Sequence, residues 1–63
     1  MRLFAVWGDY AMAVVAARDS GEARRVVLHR YQGNYPFRKE DIRVVPLGVG
    51  MPAEPKVVAA YQS

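Results

Sequence analysis

The sequence predicts a two-layer α+β domain: a small antiparallel or mixed sheet, element order β-β-α-β-β, with one helix packed on one face. Three observations carry this. An apolar, β-branched and aromatic run folds back on itself around Gly8-Asp9. A single amphipathic segment opens on the capping residues Asp19 and Ser20. Two further apolar runs follow, separated by a Gly/Pro-rich stretch. Elements of this kind and number bury their apolar faces by laying a helical layer on a sheet.

Residues 2–7 (Arg-Leu-Phe-Ala-Val-Trp) form the first strand. Gly8-Asp9 suits a two-residue hairpin loop with glycine first, and residues 10–17 return. That pairing sets Trp7 opposite Tyr10, Ala5 opposite Met12 and Leu3 opposite Val14, with Phe4 opposite Ala13 and Val6 opposite Ala11. One face then carries Leu3, Ala5, Trp7, Tyr10, Met12, Val14 and Ala16. The other carries Phe4, Val6, Ala11, Ala13, Val15 and Ala17. Both are apolar, whereas an antiparallel sheet with one wet face alternates apolar and polar residues. The small residues of the second face suit close approach of a helix, which leaves the Trp7/Tyr10/Met12 face for water, a partner or a second copy. A rival helix from an Asp9 cap through Arg18 gains from its alanines but is opposed by Val14-Val15 and by the abrupt Asp19-Ser20-Gly21 reset.

The helix runs from Asp19 or Ser20 to Tyr31. With Asp19 as N-cap, Glu22 falls at the third helical position and closes a capping box. With Ser20 as cap, Glu22 still suits the positive end of the helix dipole. Ala23, Val26, Val27 and Tyr31 share one face, widened by Leu28, and Glu22, Arg25 and His29 point to water. Gly33-Asn34 is the stop signal, with Gly33 the candidate left-handed cap.

Residues 31–41 form a loop longer than the usual connection. Its aromatics Tyr31, Tyr35 and Phe37 either fold back on the core edge or face a ligand beside Arg38 and Lys39. Residues 42–47 form a third strand, in which Pro46 marks an edge or an end. Residues 48–55 form a Gly/Pro-rich turn, and residues 56–61 a fourth strand with Val57, Ala59 and Tyr61 alternating against Val58 and Ala60. The first strand is expected between the second and the third, from the preference for short connections.

A chain of 63 residues makes one domain, 1–63, and buries only about 60% of its unfolded surface, so its stability needs help. There is no cysteine and one histidine, which excludes disulfides and leaves no convincing metal site. Self-association is the remaining helper, and a homodimer is expected. Net charge is +3, from nine Lys and Arg against six acids, far from a polybasic tail. Met1-Arg2 and the apolar residues after it have the outline of a signal peptide, but Gly8-Asp9 interrupts its core. No run approaches the ~20 apolar residues of a membrane span, so no membrane partner is expected and the expected location is cytoplasmic.

No catalytic apparatus is visible. His29 faces solvent, the hydroxyl candidates reduce to Ser20 and Ser63, and Glu40-Asp41 are adjacent and splayed. Gly21 alone is no phosphate cradle. The expectation is a non-enzymatic protein without cofactor or metal. Protein binding is the first reading, through Trp7, Tyr10, Met12, Tyr35 and Phe37. The second is nucleic-acid binding along a basic strip of Arg24, Arg25, Arg38, Lys39 and Arg43, with Tyr35 or Phe37 stacking on bases; the known nucleic-acid motifs are missing.

The stretch Ala16-Ala17-Arg18-Asp19-Ser20-Gly21-Glu22-Ala23-Arg24 resembles the junction in small, mostly uncharacterised proteins of phages and other mobile elements. These open with a short strand pair and pass through an Ala-x-Ser-x-Glu-Ala-Arg-like stretch into one helix. The resemblance covers about residues 3–28, and the chain departs from it at Gly21, where such proteins carry Glu or Pro. It implies a small accessory, host-modulating or regulatory protein and assigns no functional residues.

Overall fold

A computed structural model describes residues 1–62; Ser63 lies outside the described residues. The elements are β1 (Arg2–Trp7), β2 (Ala11–Ala17), α1 (Ser20–Tyr31), β3 (Arg43–Val49) and β4 (Lys56–Gln62). One sheet of order β3-β1-β2-β4 contains all four strands, every neighbouring pair antiparallel. The α+β class and the β-β-α-β-β order hold, and β1 lies between β2 and β3. Pro46 sits within β3, an edge strand, where a residue with no N–H to donate is tolerated.

The core lies on the Phe4/Val6 face of the central hairpin. Phe4, Val6, Ala13, Val15 and Ala17 meet Ala23 and Val27 of α1. Alanines at three of these positions let the helix backbone approach the sheet. Fully burying a Val or Phe side chain contributes roughly 1.5–3 kcal/mol, which a helix of 12 residues requires, since it could not stand alone in water. Asp19 is the N-cap: its side chain accepts the Glu22 N–H at 2.8 Å. Ser20 is thus the first helical residue rather than the cap. The Glu22 carboxylate reaches one residue past the cap and accepts the Arg18 backbone N–H at 2.8 Å. At the other end the left-handed turn begins at Gln32 (φ 57°) and continues through Gly33 (φ 69°), so the expected glycine holds its second position. Gly33 N–H donates to the Leu28 carbonyl at 3.1 Å.

The hairpin register differs from expectation by two residues. Trp7 opposes Met12, Ala5 opposes Val14, Leu3 opposes Ala16, Phe4 opposes Val15 and Val6 opposes Ala13. Gly8 N–H donates to the Ala11 carbonyl at 2.9 Å, so the turn is centred on Asp9 and Tyr10, with Tyr10 left-handed at φ 55°. Tyr10 is therefore a turn residue, not the start of β2. A two-residue shift keeps every side chain on its face, so the division into faces survives.

The cause lies outside the hairpin. A Cβ at Gly8 would stand 2.3 Å from the Pro36 carbonyl oxygen and 2.7 Å from Phe37 Cδ1. Gly8 makes room for the connection after α1, and the left-handed turn conformation passes to Tyr10. Asp9 N–H donates to the Pro36 carbonyl at 2.8 Å, and the Arg38 guanidinium bonds the Asp9 carboxylate at 3.0 Å. Phe37 is 1% exposed, its ring centroid 4.7 Å from that of Tyr31. The long connection thus closes the core at the hairpin's turn end, with Ile42 buried just before β3 begins.

Both edge strands shift register against the hairpin. On β3 the shift falls between the partners of Leu3 and Phe4, at Leu47. On β4 it falls between the partners of Val14 and Val15, at Val58. The expected alternation of Val57, Ala59 and Tyr61 is broken there. Val57 opposes Val15 of the core face, whereas Ala59 and Tyr61 oppose Val14 and Met12 of the other.

Gly8→Ala should lower stability by about 1–3 kcal/mol, the usual cost of overpacking a filled site, because the atom it meets is backbone. Urea unfolding of the variant beside the parent checks this.

Candidate interaction surface

The face of the sheet away from α1 follows from the three registers. One row across the strands is Arg43, Trp7, Met12 and Tyr61. The next is Val45, Ala5, Val14 and Ala59. The third is Gly48, Leu3, Ala16 and Lys56. Ten of these twelve positions carry no charge, no position is acidic, and the two cations stand at diagonal corners. No helix covers this face, since α1 packs on the other.

The chain covers one end of it. A Cβ at Gly50 would lie 2.6 Å from Leu3 Cδ2, so the β3–β4 connection passes against Leu3. Gly50 N–H donates to the Met1 carbonyl at 2.7 Å, and the Met1 amino group donates to the Pro52 carbonyl at 3.1 Å. Ala5 and Ala16 are buried between larger neighbours. The other end stays open. Trp7 is 48%, Tyr61 60% and Tyr10 76% exposed, and with Met12 these rings line a cleft of about 400 Å³. Val45 and Leu47 are also exposed. A cluster of large apolar side chains on one surface marks an interaction site more often than scattered ones do.

Of the residues expected to bind a protein partner, the structure brings Trp7, Tyr10 and Met12 to this cleft. Tyr35 is exposed but lies in the connection after α1. Phe37 is a correction: it is a core residue, drawn inward by the gap at Gly8, and offers a partner no surface. Sequence reasoning missed Tyr61 and Val45. Their signal was the parity of the edge strands, readable only once the position of each bulge is known.

The expected basic strip is assembled only in part: Arg24 meets Lys39, while Arg25 and Arg43 lie on other surfaces. Arg38 is engaged by Asp9 at 3.0 Å and Asp41 at 3.4 Å. Arg24 donates to the Lys39 carbonyl at 2.8 Å. Arg25 borders a groove between α1 and β4, and Arg43 belongs to the face opposite the helix. His29 is exposed and borders the same groove as Glu22, whose carboxylate is held by the Arg18 guanidinium at 2.7 Å. Among the described residues no three His, Cys, Asp or Glu side chains gather as metal ligands, and no helix is long and apolar enough to cross a membrane. No family model matches the chain, no curated protein matches it and no solved structure matches it.

The Arg18 side chain and backbone N–H hold the Glu22 carboxyl below its ordinary value of 4.5. A lowered folded-state value means that this stabilisation is present above pH 4.5 and is lost as pH falls through the lower folded value. Glu22→Gln should therefore flatten the acid limb of the stability profile, measured as melting temperature from neutral pH down to pH 2.

Proposed function

We propose that this protein is a non-enzymatic accessory or regulatory protein that works by binding protein, and that it self-associates as a homodimer through the Trp7/Tyr10/Met12/Tyr61 end of the open sheet face. One observation carries the reading: a four-stranded face with two charges in twelve paired positions, open at its aromatic end. Covering such a face releases water from apolar surface, and the centre of an interface is where Trp and Tyr contribute most. Two copies packed sheet to sheet can keep Arg43 and Lys56 at the rim, away from the apolar centre. A small chain without disulfides gains stability from the same contact. A cytoplasmic setting, and the host-modulating role implied by the resemblance to mobile-element proteins, agree with this reading.

A second reading, a nucleic-acid-binding regulator, is favoured by one feature of the same face. Arg43 neighbours Trp7 in a row that ends in Tyr61, with no carboxylate between them, and aromatic rings on a sheet are where unstacked bases bind. The scattered basic strip gives it no support.

Sedimentation across a concentration series separates the two. The parent chain should dimerise, and Trp7→Glu should weaken dimerisation by about 2 kcal/mol or more with an unchanged circular dichroism spectrum. A folded parent that stays monomeric, yet binds single-stranded RNA with an affinity falling steeply with salt, would replace the first reading with the second.

A further inference from the structure

A different surface lies along β4. β4 is the last strand of the sheet, paired with β2 on one side only. The helix does not reach fully over it, which leaves two hollows along its helix-facing side. One, of about 530 Å³, lies between Val57 and the flank of α1 formed by Arg25, Val26, His29 and Arg30. The other, of about 140 Å³, lies between Ala60 and the rings of Tyr31 and Phe37. Val57 and Ala60 oppose Val15 and Ala13 of the core face, so both hollows extend the layer the core already occupies. We propose that the free edge of β4 and the groove beside it dock an extended acidic segment of a partner protein, which joins the sheet as a fifth strand.

Each part of that description has its own ground. An extended segment is indicated by the edge, because an unpaired strand presents a row of backbone donors and acceptors. Both edge strands carry a bulge, at Leu47 and at Val58, but β3 alone carries a proline, Pro46, with its missing N–H. β4 has neither proline nor acid, and from Ala59 to Gln62 it pairs in unbroken register. Apolar side chains at alternate positions are indicated by the floor, where Val26 and Val57 are only half-buried. Acidic side chains are indicated by charge. Arg25, Arg30 and Lys56 border the groove, and its one carboxylate, Glu22, is already held by Arg18. A second copy fits poorly, because its β4 would bring Lys56 and no carboxylate. Four of its six acids, Asp9, Asp41, Asp19 and Glu22, are engaged by Arg38, the helix cap and Arg18, and the other two, Glu40 and Glu54, lie in the connections outside β4. The smaller hollow shares Ala11, Tyr61 and Gln62 with the aromatic cleft of the open face, but the larger groove shares no lining residue with it, so either proposal can fail alone.

The test uses the full chain and two short labelled peptides, one alternating valine with glutamate and one alternating valine with lysine, followed by fluorescence anisotropy and by amide NMR. The glutamate peptide should bind, more weakly as salt is raised, and about tenfold or more tighter than the lysine peptide. Amides of residues 56–62 should shift and exchange more slowly when it is bound. Arg25→Glu combined with Arg30→Glu, both exposed on the helix, should weaken binding about tenfold or more, and Lys56→Glu should act in the same direction. Trp7→Glu should leave the affinity unchanged. The proposal is overturned by no binding at low salt, by equal binding of both peptides, or by shifts confined to the Trp7 face. It is equally overturned if the β4 amides of the Trp7→Glu variant, whose open-face dimer is weakened, become protected as its own concentration rises, or if a single-stranded oligonucleotide displaces the peptide at lower concentration.

Discussion

A central hairpin that is apolar on both faces, in a chain with one helix to cover them, is the constraint from which the rest of this structure follows. β1 and β2 hold the two inner positions of the sheet, and their Phe4/Val6 side takes all that the chain has to offer: α1, the turn at Phe37, and Ile42. The alanines of β2 and the alanine and valine of α1 let these two layers close tightly. The connection after α1 then seals the end of the core by passing over Gly8, the one residue of the hairpin whose missing side chain leaves it room. With the helix and the long connection committed to one side, the other side keeps only the β3–β4 connection, which shields Leu3 and leaves Trp7, Tyr10 and Tyr61 to solvent.

What was legible in the sequence was what local chemistry decides. The start of α1 could be read to within one residue because Asp19 and Glu22 act within one turn, whereas the left-handed cap falls on Gln32, one residue before the expected Gly33. The two faces of the hairpin could be read because side-chain parity survives a shift of two residues. The register itself could not. It depends on Pro36 and Phe37, nearly thirty residues away, which claim the space at Gly8 and move the turn onto Tyr10. Which loop aromatic folds back on the core edge was undecided for the same reason: Phe37 does and Tyr35 does not. The bulges at Leu47 and Val58 are equally silent, and they decide that Tyr61 joins Trp7 while Val57 turns to the helix.

The charges divide the surface in a way that composition alone conceals. A net charge of +3 suggests a diffuse basic protein, but Arg18 and Arg38 are spent on carboxylates and Arg24 on a carbonyl. Of the other cations, Arg25, Arg30 and Lys56 border the α1–β4 groove, and Arg43 and Lys56 stand at corners of the open face. One surface is therefore apolar and aromatic with charges at its rim, and the other is an apolar trough with a cationic edge. These are different chemistries with different causes: the open face has no second layer laid on it, and the trough remains because one helix is too narrow to cover β4 as well.

The central claim is that the aromatic end of the open face is covered in solution. Trp7 is the single tryptophan, so its fluorescence reports on that face alone. Emission maximum and acrylamide quenching, followed from micromolar to near-millimolar protein, test the claim most directly. The account predicts a blue shift and loss of quenching as concentration rises, reversed on dilution. A tryptophan that stays half-exposed and equally quenched across the whole range would contradict it.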